Sequence, residues 1–506
     1  MGLLAVGAVL RILTVVAYRP AMEFVQDSFD YLGDARSLTP GVIRPLGYPA
    51  FLRVLASTGH FGVVPVVQHL LGLTMAVMLY ALLRRFGVWP WLAALGVAPL
   101  LLDGYQVYME QFVLAETVFE FLVVTALVAL LWRERPSVAL CALAGGLLGM
   151  SALTRTVGLA LLVPAFAFLV VRRVGVARVA AFAGAAVVLL GAYAGWYRAE
   201  HGNLAFGSFD GYFLAGRVEP FADCRGAHLP SHERRLCDDR PTAARPGPDW
   251  YVWNPDSPLR SPAIAPGTDR NALAGAFARD VIANQPGAYT STVVHDLAHY
   301  FSPVRTTGRH DGPVQTFQFR TSFTADPWQP ATPPSDPHVW QWTWPGASVR
   351  YGTIVATHGF SLNQVNPRLN TSVATVLRDY QRLGYTPGPL LGAALVLALA
   401  SGVARLAPGQ RRLWWVACLF VGTGVVMLVV PATTASFDFR YLLPTLTVLP
   451  AGGVLGVMVL ARHRQSGAVI PANLGIVRDD GGLLVGQPGA GRAGPPGGGP
   501  GPAVAS

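Results

Sequence analysis

Ten apolar runs limit what this 506-residue chain can fold into. They cover residues 2–18, 61–83, 88–103, 112–131, 137–153, 157–171, 179–197, 387–404, 414–431 and 441–461. A helix needs about 20 mostly apolar residues to cross a bilayer, and several of these runs fall slightly short. Composition agrees with spans rather than buried core helices. Only 13% of residues are charged and mean hydropathy is +0.41, whereas a soluble domain carries roughly a quarter charged residues. The expected fold class is an α-helical polytopic membrane protein with about ten transmembrane helices.

The net charge of +10 comes from arginine alone, because the chain has no lysine. Codon bias in a GC-rich genome accounts for that choice. It excludes lysine nucleophiles and Schiff bases, and the basicity gives no reason to expect a nucleic-acid partner. The arginines instead mark topology, because cytoplasmic turns are enriched in them. With the N-terminus inside, five turns fall on the cytoplasmic side: those at Arg84 and Arg85, Arg133 and Arg135, Arg172 to Arg178, Arg405 to Arg412, and Arg462 to Arg464. The first outer loop is the exception, with Arg36, Arg44 and Arg53. Outward arginines need another purpose.

This order divides the chain into residues 1–197, with spans one to seven, and residues 198–386, an irregular extracytoplasmic domain. Residues 387–464 carry spans eight to ten, and 465–506 form a Gly/Pro-rich tail expected to be disordered. The expected location is the cell membrane, multi-pass, with the working face outside. No cleavable signal peptide is expected, and the true start is left open because "MG" precedes the first span directly. Cys224 and Cys237 fall in the outer domain and are expected to form a disulfide. Cys141 and Cys418 lie in apolar runs as packing residues. Within the domain, the region around "YTSTVVHDLAHYFSP" has helical apolar spacing, and "NPRLNTSVATVLRDYQRLGY" is a second amphipathic segment. "HDLAH" sets His295 and His299 at zinc-ligand spacing, but Asp296 stands where a metalloprotease has Glu and no third ligand follows. An amphipathic helix with polar flanks is the plainer reading.

The stretch "FVQDSFDYLGDAR" follows the first span with three aspartates at spacings of three and four. As a helix it sets Asp27, Asp30, Tyr31 and Asp34 on one face. Asp30 and Asp34 read as solvated or capping residues. Asp27 comes first after the membrane, where a water-poor cleft between helices can form. "IRPLGYPAFL" then makes a stiff turn, since proline fixes φ and glycine frees it. Arg11 lies mid-span, where a charge is costly and usually faces the bundle interior with an acidic partner.

"DSFDYLGDA" followed by "RPLGYPAFL" resembles the outer loop of polyprenyl-phosphate-dependent glycosyltransferases of the GT-C superfamily. The likeness is to the protein mannosyltransferase and aminoarabinose transferase branch. "VYMEQFVLAETVFEFL", "LTRTVGLALLVPAF" and "FDFRYLLPTLTVL" add three similar stretches in the same order. The resemblance covers roughly residues 1–200 and 387–461. It implies inverting transfer of a sugar from a polyprenyl-phosphate donor to an acceptor hydroxyl outside the cytoplasm. The acceptor, whether glycan, lipid or protein, stays open. Asp27 takes the role of base, and Glu116 that of a second carboxylate, with Glu110 its competitor and Glu120 deeper in the span. Arg44, Arg155 and Arg440 are the phosphate candidates, because a guanidinium fork matches phosphate oxygens. An interface role, or an ion pair of Arg440 with Asp438, is the plain alternative. Tyr31 and Tyr48, borne by the same motifs, complete the substrate-binding set. Gln68 and His69 either line the cleft or bond helices together.

Ser28 stands where the family often has a second acidic residue, which weakens a metal reading there. No cofactor is assigned and a divalent cation stays open. Competing classes are a transporter or flippase, which needs midplane charges and broken spans, and an envelope glycan ligase or polymerase, which does not need Asp27. The topology is checked directly. A cysteine placed near Asp27 is expected to react in whole cells with a membrane-impermeant thiol reagent. Protection there, with labelling near Arg172, inverts the assignment.

Overall fold

The structure is a computed structural model. It describes residues 1–226, 228–254, 256–322, 339–344, 347–353, 368–403 and 406–468. The chain forms two units, Met1–His463 and Arg464–Ser506. Of the second, only the end of a helix lies among the described residues, so residues 469–506 of the tail fall outside them.

The protein is predominantly helical. Its first half runs α1 (Gly2–Ala17), α2 (Val25–Ser37), α3 (Gly47–Ala56), α4 (Val63–Arg85), α5 (Pro90–Leu102), α6 (Gly104–Met109), α7 (Glu116–Leu131), α8 (Val138–Thr154), α9 (Gly158–Val171) and α10 (Val176–His201). After it come α11 (Asp210–Val218), α12 (Pro248–Trp253), α13 (Arg270–Asn284), α14 (Pro286–His299), α15 (Thr371–Gln381), α16 (Gly388–Ala400), α17 (Pro408–Thr434) and α18 (Leu449–Ala468). Two small antiparallel pairings complete the fold. β1 (Tyr18–Arg19) pairs with β4 (Arg368–Leu369), and β2 (Val339–Trp344) with β3 (Ala347–Thr353).

Among the described residues three helices, α4, α10 and α17, are long and apolar enough to cross a membrane. A fourth span results if Phe439–Thr447 and Leu449–His463, bent by 45°, count as one. Other apolar runs fold as shorter helices of 10–17 residues, among them α1, α5, α8, α9 and α16. Three of these helices carry an internal proline: Pro99 in α5, Pro164 in α9 and Pro431 in α17. The main core gathers α4 against α5 and α7, α7 and α10 against α8, and α9 against α17. A second apolar core, with Tyr212, Tyr251 and Phe277, holds α11, α12 and α13 together. The Cys224–Cys237 disulfide lies beside it. The "HDLAH" segment falls at the end of α14, which packs on α17. Asp296 there bonds Arg217 at 2.6 Å, and His299 stacks on Phe437.

Arg11 is neutralised inside the bundle. Its guanidinium pairs with Glu110 at 2.7 Å and donates to the carbonyls of Gly7, Leu100 and Leu101. His69 Nδ1 lies 2.9 Å from the other oxygen of Glu110. Glu110, the competing carboxylate, is therefore committed to a structural triad. Breaking one partner of a buried pair strands the other charge, which costs about 3–5 kcal/mol. Glu110→Ala is therefore expected to lower thermal stability sharply in detergent, by more than Glu134→Ala at the exposed pair with Arg412. Equal melting temperatures for the two variants contradict this reading.

Candidate functional site

Two loops are stitched together to make the site. Met22 and Val113 exchange backbone hydrogen bonds with the opposite segment, Met22 N–H to Gln111 and Val113 N–H to Met22. Ser28 Oγ donates to the Val113 carbonyl at 2.8 Å and accepts from Phe24 N–H. Ser28 thus fastens the first turn of α2 to the entry of α7. That places Asp27, in the same turn, beside Glu116, the first residue of α7. A carboxylate at a helix start also gains from the helix dipole.

Two glycines bring the cations in. A Cβ on Gly47 would meet the Leu153 carbonyl oxygen at 2.5 Å, and one on Gly158 would meet Ala152 N at 2.4 Å. Only glycine lets α3 and α9 approach the end of α8 so closely, and Arg155 lies at that end. Arg440 comes from the other half of the chain, in a short 3₁₀ turn capped by Asp438, which accepts from the Arg440 backbone N–H.

These elements join five charged groups. Arg44 pairs with one oxygen of Asp27, and Arg440 with the other at 2.8 Å. Arg440 Nε lies 3.0 Å from Glu116 Oε1, to which Arg155 is also bonded. Asp27 and Glu116 are 4% and 1% exposed. Three guanidiniums are thus paired with two carboxylates, and the carboxyls of Asp30 and Asp438 lie within electrostatic reach of Arg44 and Arg440. Arg44 lies over the Tyr31 ring, and Arg155 and Arg440 over Tyr441. Burial pushes the Asp27 carboxyl up, but Arg44 and Arg440, with Arg155 behind them, outweigh it and hold the group below the ordinary carboxylate range.

Two cavities meet at this cluster and share Arg44, Phe213, Arg440 and Tyr441. The larger, about 1280 Å³, combines Arg44, Arg155 and Arg440 with the apolar side chains of Val157, Leu214, Val430 and Pro431. The smaller, about 690 Å³, is the more polar of the two. Asp27 opens onto it with Glu23, Asp249 and Asp438, facing Phe24 and Trp253. Burial raises the carboxyls of Asp249, of Asp438 to about 7 and of Glu23 to about 8. Asp30 and Asp34 are raised too, to about 7 and about 6, chiefly by burial.

Asp27, Arg44, Arg155, Arg440 and Tyr31 thus converge on connected cavities. Glu116 lines neither and instead holds Arg155 and Arg440. Tyr48 is buried behind Tyr31, with its hydroxyl on Gln68 Oε1 at 2.8 Å, away from both cavities. Gln68 spends its amide on the carbonyls of Glu110 and Phe112, and so braces the loop entering α7. Glu120 accepts from Gln106, deeper in the bundle. The guanidinium of Arg440 goes to Asp27 and Glu116 rather than to Asp438. Glu23, Asp249, Trp253 and Phe213 were not singled out from the sequence. The "DWYVW" run, acidic and aromatic within one helical turn, is the signal that could have marked two of them. No group of three His, Cys, Asp or Glu residues able to hold a metal ion occurs among the described residues.

No family model and no curated protein matches the chain. Solved structures similar to it are glycosyltransferases of the GT-C class. ArnT from Cupriavidus metallidurans, solved with undecaprenyl phosphate, is 15% identical with a TM-score of 0.33, covering 92% of this chain and 79% of that one. The Archaeoglobus fulgidus oligosaccharyltransferase is 13% identical with a TM-score of 0.38, over 92% of this chain and 51% of that one. The S. cerevisiae protein O-mannosyltransferase Pmt1-Pmt2 complex, solved with its sugar donor, is 14% identical with a TM-score of 0.31, over 43% of this chain. This chain spans about a third of that mannosyltransferase's length, 36%, and about half of the oligosaccharyltransferase's.

The electrostatics of Asp27 yield a pH prediction. A depressed carboxylate stays ionised until the pH falls through its own lowered value. Arg44→Gln removes one of the two cations that depress it, so the acid limb of any Asp27-dependent activity is expected to move to higher pH. A pH–rate profile that keeps its acid limb in Arg44→Gln contradicts the coupling.

Proposed function

We propose that the protein is a membrane glycosyltransferase that moves a sugar from a polyprenyl-phosphate donor to an acceptor hydroxyl on the extracytoplasmic side. The observation that carries this reading is that Arg44, Arg155 and Arg440 line one amphipathic cavity together. Three guanidiniums on one wall suit an anion, and the apolar side chains of Val157, Leu214, Val430 and Pro431 suit a lipid chain. Arginine is the residue suited to bidentate phosphate recognition. The sequence resemblance assigns the same three arginines to phosphate.

The base assignment gains a physical condition from this geometry. With Arg44 and Arg440 on its two oxygens, Asp27 is a poor proton acceptor. Those arginines also line the lipid-phosphate cavity. A bound phosphodiester competes for them, loosens their hold on Asp27 and raises its basicity at the moment the donor is in place. Asp27 then takes the proton of the acceptor hydroxyl as the hydroxyl oxygen attacks the anomeric carbon. The bond from that carbon to the phosphate oxygen breaks on the opposite face, with inversion, and the departing phosphate stays with Arg155 and Arg440. Glu116 acts through these arginines by holding them in register. Arg11, the midplane charge that a transporter would need on its path, is instead satisfied within the bundle by Glu110 and backbone carbonyls.

Asp27→Asn is expected to lower transfer by about 10²–10⁴-fold, the usual contribution of a general base, while the protein still inserts and binds undecaprenyl phosphate. Arg155→Gln is expected to weaken undecaprenyl phosphate binding instead. Full transfer activity of Asp27→Asn with purified lipid-linked sugar rejects the base assignment.

A further inference from the structure

We propose that α12 is a carbohydrate-recognition element: Trp253 packs against a hydroxyl-rich sugar ring in the polar cavity while Asp249 accepts hydrogen bonds from its hydroxyls. The inference rests on the glycosyltransferase reading and names the ring-binding residues of that site.

Asp249 and Trp253 stand four residues apart on α12, the spacing that sets two side chains on one helical face, and both line the polar cavity. Phe209 stacks on Trp253 at 5.3 Å between ring centroids, and Phe213 meets it edge-on. These contacts fix the indole as a rigid part of the wall. A sugar ring offers an apolar C–H face and a rim of hydroxyls. The indole meets the first requirement and a carboxylate the second. Among the described residues Asp249 has one hydrogen bond, from Ser436 Oγ, long at 3.4 Å, which leaves most of its accepting capacity uncommitted there. Across the same cavity Glu23 Oε1 is buried with no hydrogen-bond partner among the described residues. Buried polar atoms are rarely left unsatisfied. Arg320 also lines this cavity, and a sugar hydroxyl, which both donates and accepts, suits a Glu23 carboxyl that burial raises to about 8. The cation-rich wall at Arg44 and Arg440 adjoins the other cavity, so a phosphate there and a sugar ring here are neighbours. The ring belongs either to the donor or to the acceptor, since both pass the shared wall.

The experiment measures binding to the purified full-length protein in detergent by native mass spectrometry. The probes are undecaprenyl phosphate, its mannosyl, glucosyl, galactosyl and arabinosyl forms, and the free methyl glycosides of the same sugars. At least one sugar-bearing probe is expected to bind more tightly than its bare counterpart. Asp249→Ala is expected to remove that gain, about tenfold for the hydrogen bonds lost, while undecaprenyl phosphate affinity stays within twofold. Asp249→Asn, which keeps the shape, and Trp253→Phe, which keeps an aromatic wall, are expected to lose part of the gain. A gain confined to the glycosylated lipids assigns the ring to the donor, and one seen with free glycosides assigns it to the acceptor. The proposal is overturned if no probe gains from its sugar, if the gain survives Asp249→Ala, or if that variant weakens undecaprenyl phosphate equally. If wild-type protein ignores undecaprenyl phosphate, the lipid-phosphate reading fails separately, and the free glycosides still judge Asp249.

Discussion

Arg440 joins the two halves of the site. Its guanidinium reaches Asp27 with one nitrogen and Glu116 with another, while its backbone N–H is capped by Asp438. Asp27 comes from the first turn of α2, Glu116 from the start of α7 and Arg440 from the approach to α18. Without this bridge, two carboxylates buried side by side would repel each other, and burial would favour their neutral forms. With it, both can stay ionised. The same residue walls both cavities, so the state of the carboxylates and the occupancy of the phosphate region are physically linked.

That linkage accounts for a combination otherwise hard to reconcile. A carboxylate gripped by two guanidiniums has little appetite for a proton, yet the motif order places Asp27 where a base is needed. Under the proposed function, competition by phosphate for the same arginines would resolve the conflict without moving any backbone element. Gly47 and Gly158 keep the ends of α3 and α9 close against α8, and Ser28 pins α2 to the entry of α7. The scaffold is held while the side chains exchange partners.

Much of the charged cluster was legible in the sequence because its residues sit in short motifs beside apolar runs. Arginines on the outer side of the inferred topology had no topological purpose, which pointed to Arg44 before any geometry. Motif membership does not give side-chain direction, however. Tyr48 shares a motif with Arg44 yet turns inward to Gln68, and Glu116 backs the arginines rather than facing a cavity. Asp249 and Trp253 were not legible because residues 198–386 have no periodic pattern linking them to residue 27. Their approach depends on α11, α12 and α13 closing on their own core. Apolar runs predicted helices well, but several fold as helices shorter than a span, and one is bent by 45°, which composition does not encode.

The central claim is that lipid phosphate and Asp27 compete for Arg44 and Arg440. The most direct measurement is a cryo-EM map of the protein with undecaprenyl phosphate bound. The account predicts phosphate density among Arg155, Arg440 and Arg44, with the lipid along α9 and α17 and at least one guanidinium withdrawn from Asp27. Phosphate density elsewhere, or in that place with both guanidiniums still on Asp27, would contradict it.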